Sequence, residues 1–342
     1  MGRMRDTRIA RVPLRSLLLV RFMRPVVRLA QYFLWRGKLP EVAQIEDRSV
    51  ETPDVDVPIR VYTPEGDGRF PILVFFHGSG FVICDLDTHD GLCRDLCLHT
   101  GCVVVSVDYR LSPEHKFPAA TDDCHAVTCW VAEHAAEING DGRTVFVIGD
   151  SAGGNMAAVT ALRIRDRGGP PLAGQVLIYP VTDYHTPPSA SYLENAHAKR
   201  LTRKQMIWFW RQYLSEPAEA ENPYVSPLRA SRFEGLPPAL VLTAERDPLR
   251  DEGECYATRL EDAGVPTQSS RYRGLYHGFL GLEGPTADHR RGVDEISAWI
   301  EKAVDARNSA KPHASQARPR QQRDAPLNPP ESRDGLESND RG

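Results

Sequence analysis

The chain has 342 residues and a formal net charge of −4, with 41% hydrophobic and 26% charged residues. These values are typical of a globular protein with a sizeable core and exclude a fibrous or wholly disordered chain. No block of the expected folded region is basic enough to indicate nucleic acid as a partner. The seven cysteines are odd in number and lack zinc-ligand spacing, which favours reduced thiols in a cytoplasmic protein.

The first forty residues carry a strong excess of positive charge. Residues 1–40 contain ten Lys and Arg residues and one acidic residue, Asp6, a net charge of +9. Their longest uncharged apolar stretch, residues 17–20, is too short for a signal-peptide core or a membrane span. Pro13 and Pro25 predict breaks that divide the segment into separate helices. Apolar residues recur on one helical face: Val26, Leu29, Ala30, Phe33 and Leu34.

We expect this amphipathic segment to pack on the domain as part of a cap, because such helices usually cover their own protein. The alternative is a weak contact with an anionic membrane surface through its arginines.

From residue 41 to residue 304 the sequence alternates between apolar runs and helical periodicity, which we interpret as one domain. Residues 45–63 alternate in polarity and predict one or two antiparallel edge strands. Five continuous apolar runs then predict strands covered on both faces: 71–76, 103–107, 145–148, 175–179 and 239–243. Helical stretches lie at 86–99, 118–137, 152–166, 251–263 and 286–304. This alternation predicts an α/β fold with a mostly parallel central sheet and helices on both faces.

Residues 181–236 interrupt the alternation because they carry no strand signal. They include a predicted helix at 202–214, which contains Met206 and Trp210. An insertion after the carboxyl end of a strand lies over the ligand-binding face of such a sheet, so we predict a helical cap. The aromatic residues of this helix either line a substrate pocket or form the cap's own core. Residues 305–342 are too poor in large apolar side chains to fold, and predict a disordered tail.

The pentapeptide Gly149-Asp150-Ser151-Ala152-Gly153 lies between the 145–148 strand and a predicted helix. A serine in this strand–turn–helix setting is held on a tight turn with its hydroxyl exposed. The flanking glycines are needed where a Cβ would collide with the neighbouring strand or helix. The first amides of the helix point to the space where an oxyanion would form. Ser151 is therefore a candidate nucleophile, although the short pattern alone is weak.

Three further features lie where a serine hydrolase needs them. A glycine-rich turn, residues 77–81, follows the first apolar run and can present backbone amides to an oxyanion. Asp247 follows the run at 239–243, and His277 lies in a loop before the last helix. The order serine, aspartate, histidine is that of the α/β-hydrolase architecture. Asp251, a second nearby carboxylate, is better interpreted as a residue of a helix's first turn.

Five motifs together resemble the hormone-sensitive-lipase-like esterases, the bacterial family IV group, over residues 40–304. They are HGSGF at 77–81, DYRLSPE at 108–114, GDSAG at 149–153, DPLRDEG at 247–253 and YHGF at 276–279. The resemblance implies the α/β-hydrolase fold with Ser151 as nucleophile, His277 as general base and Asp247 as the orienting acid. It implies no cofactor and no metal.

The resemblance also implies residues around this triad. The backbone amides of Ser79, Gly80 and Ala152 would form the oxyanion hole. Four residues would hold the glycine-rich loop: His77, Gly78, Tyr109 and Arg110. Apart from the resemblance, the candidate substrate-pocket residues are Phe81, Met206 and Trp210. His89, next to several aspartates, is interpreted as a helix-start residue and not as a metal ligand.

The chain departs from the family pattern at two positions. Ser79 replaces a glycine, and a Cβ is costly there if the turn needs positive φ; we predict that the loop keeps its conformation. Cys84 stands where relatives often have a small residue, and is interpreted as a buried thiol, the alternative being a residue at the pocket border.

These inferences predict a serine carboxylic-ester hydrolase that acts on short- to medium-chain acyl esters through an acyl-enzyme. The alternatives are an amide, lactone or lipid hydrolase on the same scaffold and, more remotely, a non-catalytic ligand receptor of the same fold. The expected partner is a small-molecule ester and not nucleic acid, and the protein is expected to be a monomer or a homodimer. The natural ester does not follow from the sequence.

Overall fold

The structure, a computed structural model, describes residues 14–309. Its central sheet has the strand order β1-β2-β4-β3-β5-β6-β7-β8. β2 is antiparallel to β1 and to β4, and the pairs from β4 to β8 are parallel. The predictions of a mostly parallel sheet and of antiparallel strands at one edge are therefore confirmed. The strands are β1 (Gln44–Glu51), β2 (Asp56–Thr63), β3 (Phe70–Phe76), β4 (Val103–Val107), β5 (Gly140–Asp150), β6 (Leu172–Ile178), β7 (Ala239–Arg246) and β8 (Thr267–Tyr276).

Helices cover both faces of this sheet. They are α1 (Leu14–Trp35), α2 (Asp90–Thr100), α3 (Ala119–Glu133), α4 (Ala152–Arg167), α5 (Ala190–Glu194), α6 (Arg203–Tyr213), α7 (Arg250–Asp262) and α8 (Ala287–Ser309). Helices α3, α4 and α7 pack on one face, and α2 and α8 pack on the other. Among the described residues, no helix combines the length and apolar character needed to cross a bilayer.

Strand β3 illustrates why the apolar runs are continuous. Ile72, Val74 and Phe76 belong to one buried cluster, and Leu73 and Phe75 belong to the cluster on the opposite face. Because successive side chains of a strand point to opposite faces, a sheet with helices on both sides needs apolar residues at every position.

Residues 181–236, for which a cap was predicted, contain α5 and α6 together with two short 3₁₀ turns, Pro217–Glu221 and Pro227–Arg229. Helix α6 begins with a capping box, in which Thr202 and Gln205 satisfy each other's backbone amides. The helix packs over the carboxyl ends of the strands through Phe209, whose ring lies against Gly80.

Three expectations about the elements were wrong. Helix α1 continues through Pro25, which is exposed, so the carbonyl freed by the missing amide can bind water; Pro13 lies outside the described residues. Strand β8 was not predicted, because it is a polar edge strand with few buried residues. Helix α8 extends to Ser309, so residues 305–309 are helical, and the rest of the expected tail lies outside the described residues.

Candidate active site

Ser151 sits on a strained turn between β5 and α4. Its backbone has φ 56° and ψ −117°, a region that residues with a Cβ rarely occupy. The turn is tight because a Cβ at Gly149 would collide with the carbonyl of Gly153. A Cβ at Gly153 would in turn collide with the carbonyl of Phe76 in β3. The glycines therefore allow the close approach that places the serine at the amino end of α4.

A hydrogen-bonded chain of three buried side chains starts at this serine. Ser151 Oγ lies 2.9 Å from His277 Nε2, and His277 Nδ1 lies 2.7 Å from Asp247 Oδ2. Asp247 follows β7 and His277 follows β8, so the carboxyl ends of two paired strands place both side chains. Since Nδ1 donates to the carboxylate, Nε2 is left to accept the serine proton. This arrangement is that of a nucleophile with an adjacent, oriented base.

The position of Asp247 is fixed from two sides. Its Oδ1 accepts a hydrogen bond from the Leu249 amide at 3.0 Å, and its carbonyl accepts one from Asn195 Nδ2 at 3.3 Å. Asp251 has a different role, because its Oδ2 accepts from the Ser191 amide at 2.6 Å and so attaches α7 to α5. It makes no contact with His277.

Three backbone amides beside the serine have no acceptor within residues 14–309: those of Ser79, Gly80 and Ala152. The first two belong to the glycine-rich loop after β3, and the third is the first residue of α4. The positive φ values of the loop fall on Gly80 (56°) and Phe81 (68°), and not on Ser79. The serine at position 79 therefore does not strain the turn.

The side chain of Ser79 adds a hydrogen-bonded chain that a glycine could not make. Tyr109 Oη donates to the carbonyl of His77 at 2.6 Å, so its lone pairs face Ser79 Oγ at 2.8 Å. Ser79 Oγ can then donate to Tyr109 while it accepts from the Phe81 amide at 2.9 Å. These hydrogen bonds link both ends of the glycine-rich loop. The sequence pattern did not reveal this contribution of Ser79.

Behind this loop lies a buried polar layer. The fully buried Asp150 accepts from the Gly78 amide at 2.7 Å, and its Oδ1 lies 3.4 Å from His89 Nε2. His77 stacks on Tyr109 with ring centroids 4.4 Å apart. Burial, with a further contribution from His89, lowers the pKa of His77 to about 3, so the ring is neutral. His89 directly precedes α2, and no cluster able to bind a metal ion occurs among the described residues.

Arg110 supports a different element from the one expected. Its backbone amide and its guanidinium both bind the carboxylate of Asp123 in α3, with distances from 2.6 to 3.0 Å. It therefore anchors the 108–114 segment. The contacts of this segment with the glycine-rich loop are made by Tyr109 and by the Ser112 amide, which donates to the Phe81 carbonyl at 2.8 Å.

The aromatic residues named for the pocket are packed together. Phe81 stacks on Tyr213 with centroids 4.0 Å apart and lies 5.4 Å from Trp210, and Met206 is also buried. Phe209, which was not among the residues predicted for the pocket, also contacts the glycine-rich loop, because its ring lies against Gly80. Cys84 is buried, and burial raises the pKa of its thiol.

Two buried polar side chains attach the cap to the site and were also missed. Asn155 of α4 donates from Nδ2 to the carbonyls of Val181 and Val225, at 2.9 Å each. Glu252 of α7 accepts from the Thr182 amide at 2.9 Å, and burial raises its pKa well above the ordinary value. A lone polar residue in a helical stretch carries no sequence signal for such a contact.

Comparison with known proteins places the chain among hydrolases. Residues 73–281 match a family described as alpha/beta hydrolase fold. The esterase LipI from Mycobacterium tuberculosis is 43% identical over 252 residues, 72% of this chain and 77% of that protein. An arylesterase from Saccharolobus solfataricus is 37% identical over 250 residues, 70% of this chain and 78% of that protein. A solved structure of a Pyrobaculum calidifontis esterase has a TM-score of 0.81 at 42% identity, covering 83% of this chain and 93% of that one.

Proposed function

The chain belongs to the alpha/beta hydrolase fold family and is a carboxylic-ester hydrolase, and we propose that Ser151, His277 and Asp247 carry out its reaction. The observation that carries the proposal is the hydrogen-bonded chain from Ser151 Oγ through His277 to Asp247, next to three unpaired amides. A non-catalytic receptor would have no use for such a proton relay. The expected substrates are small esters with short to medium acyl chains.

The geometry leads to a two-step mechanism. As Ser151 Oγ attacks the ester carbonyl, His277 Nε2 takes its proton, and Asp247 stabilises the resulting imidazolium. The amides of Ser79, Gly80 and Ala152 would donate to the oxyanion, each contributing about 2.7–4 kcal/mol to transition-state stabilisation. His277 then protonates the departing alcohol. Water, deprotonated by the same histidine, attacks the acyl-enzyme and releases the acid and the free serine.

The preference for short to medium acyl chains is supported by the crowding of the oxyanion loop. The ring of Phe209 lies directly on Gly80, and the cap residues around it are tightly packed. A screen of p-nitrophenyl esters of graded acyl length tests this preference. Highest kcat/KM for long-chain esters, or for amides or lactones, would contradict it and favour the corresponding alternative.

We predict that Ser151→Ala lowers kcat at least about a thousandfold, because the variant lacks the nucleophile. The measurement is hydrolysis of p-nitrophenyl acetate, combined with organophosphate labelling located by mass spectrometry. Ser297→Ala, in α8, where the hydroxyl donates to the His99 carbonyl and to no residue of the triad, is the matched control and should retain activity and labelling. An active Ser151→Ala protein would refute the mechanism.

We further propose that the protein works in the cytoplasm as a monomer or homodimer. The proposal is supported by its seven cysteines, which are all free and mostly buried. Sedimentation velocity distinguishes the two oligomeric states.

A further inference from the structure

The outward side of α1 is an apolar surface that nothing within residues 14–309 covers. Its residues recur every three or four positions and so form one stripe along the helix. Their exposed fractions range from 46% to 70%, and a contiguous apolar stripe, unlike scattered single residues, indicates an interaction surface. We call this stripe the α1 face: Leu18, Leu19, Phe22, Val26, Leu29 and Phe33.

The opposite side of α1 is fixed to the protein, so the helix cannot rotate to bury this face. Val20 and Trp35 are buried, and Trp35 Nε1 donates to the Gly281 carbonyl at 3.3 Å. Arg24 donates from Nε to the Val82 carbonyl at 3.0 Å and forms a two-pronged ion pair with Glu114 at 2.9–3.0 Å. The exposure of the α1 face is therefore part of the folded structure.

The charge around the α1 face indicates what covers it. Residues 14–40 contain six Lys and Arg residues and no acidic residue, whereas the whole chain carries a net charge of −4. Two of these cations, Arg24 and Arg28, form ion pairs with the domain. Arg21, Arg36 and Lys38 are exposed beside the face. A second copy would bring two such basic segments together, and residues 310–342 offer only two large apolar side chains, Leu327 and Leu336. The apolar α1 face and the cations beside it both match a partner that is apolar inside and anionic at its boundary. An anionic lipid bilayer is such a partner.

We propose that α1 docks the enzyme on an anionic lipid surface, with the α1 face in the interfacial layer and the flanking cations on lipid phosphates. A cavity of 670 Å³ opens beside the face, and its lining combines Tyr32 and Trp35 with the charged side chains of Arg28, Arg60 and Asp87. The same helix donates hydrogen bonds to Val82, which follows the glycine-rich loop, and to Gly281, which follows the loop of His277. Docking through α1 therefore holds the catalytic loops next to the lipid.

The test is vesicle co-sedimentation of the full chain. We compare vesicles of phosphatidylcholine with vesicles that also contain anionic phosphatidylglycerol, at low and high salt. Wild type should bind the anionic vesicles more strongly, and salt should weaken this binding. The double variant Phe22→Ser, Leu29→Ser should bind at least about tenfold more weakly, since two large side chains no longer enter the interface.

Leu98→Ser is the matched control, because Leu98 is 53% exposed on α2, away from the α1 face. It should bind vesicles like wild type. Hydrolysis of p-nitrophenyl acetate without lipid should be unchanged in both variants, which separates a failure of docking from a failure of the proposed reaction. Equal vesicle binding by wild type and the double variant would overturn the proposal. So would a wild-type dimer, in sedimentation velocity, that the double variant does not form.

Discussion

The ring of His77 is buried behind the glycine-rich loop, and neither of its nitrogens makes a hydrogen bond. Its pKa falls from 6.5 to about 3 on folding, chiefly because burial disfavours the charged ring. In the unfolded chain the ring takes up a proton at higher pH than in the folded chain. Its contribution to stability is therefore present above pH 6.5 and is lost as the pH falls towards 3.

We predict that His77→Phe removes part of the acid sensitivity of the fold. Wild type should lose about 2 kcal/mol more of its free energy of unfolding than the variant between pH 8 and pH 5. The phenyl ring can keep the stacking on Tyr109, and no hydrogen bond is lost. Urea unfolding at the two pH values measures this difference. Parallel losses in the two proteins would show that His77 is protonated in the folded state.

Ser79 shows what sequence reasoning could and could not establish at the scale of a residue. The motifs around Ser151, Asp247 and His277 and their order along the chain predicted which side chains the fold would bring together. Ser151 and Asp247 were expected after strands, and His277 in a loop before the last helix. The φ of Ser79 and its link to Tyr109 depend on how the loop crosses the 108–114 segment. Such a contact between distant segments leaves no local trace in the sequence.

The side chain of Lys116 caps the carboxyl end of helix α6, next to the Phe117 amide, which donates to the Tyr213 carbonyl at 3.0 Å. Lys116 Nζ donates to the carbonyls of Arg211, Gln212 and Leu214 at 3.3, 2.8 and 2.6 Å. These carbonyls lack partners within the helix, and a cation there also interacts favourably with the helix dipole. The lysine thereby ties the cap helix, with Phe209, to the segment that follows β4.

We predict that Lys116→Met lowers the free energy of unfolding by about 1–2 kcal/mol, because it removes a charged cap but keeps the apolar stem. The helix that carries Phe209 becomes less fixed, so KM should change more than kcat. Chemical denaturation and steady-state hydrolysis of p-nitrophenyl butyrate measure the two effects. Lys204→Met, at an exposed site of the same helix, is the control. If the two variants behave alike, Lys116 does not hold the helix.

At the scale of elements, the buried strands were predictable and the edge strand was not. Strands β3 to β7 have apolar runs because helices cover both faces. In strand β8 (Thr267–Tyr276) most residues are exposed or half-buried. The strand therefore has neither a continuous apolar run nor a clear alternation of apolar and polar residues. Yet β8 is the strand that places His277, and its pairing with β7 brings that residue to Asp247.

For the whole molecule, the amino-terminal segment was the least predictable part. Its helical spacing was predicted, but the apolar residues of that pattern face outward. Arg24 and Gln31 face the domain beside the buried Val20 and Trp35. Hydrophobic periodicity alone places the apolar side of a helix on its own core. The actual orientation follows from Arg24, Gln31 and Trp35, whose acceptors lie far along the chain.

In this orientation α1 restrains two loops of the site, the one after the glycine-rich loop and the one after His277. A double variant tests whether this restraint matters for catalysis. Arg24→Gln, Trp35→Phe removes bonds to Val82, beyond the oxyanion loop, and to Gly281, beyond His277. We predict that kcat for p-nitrophenyl acetate falls roughly tenfold, because both loops lose a restraint on geometry that the transition state requires. Arg21→Gln, on the same helix without an acceptor within residues 14–309, should retain wild-type kcat. If the double variant had the same kcat as Arg21→Gln, the loops would hold their positions without these two bonds to α1.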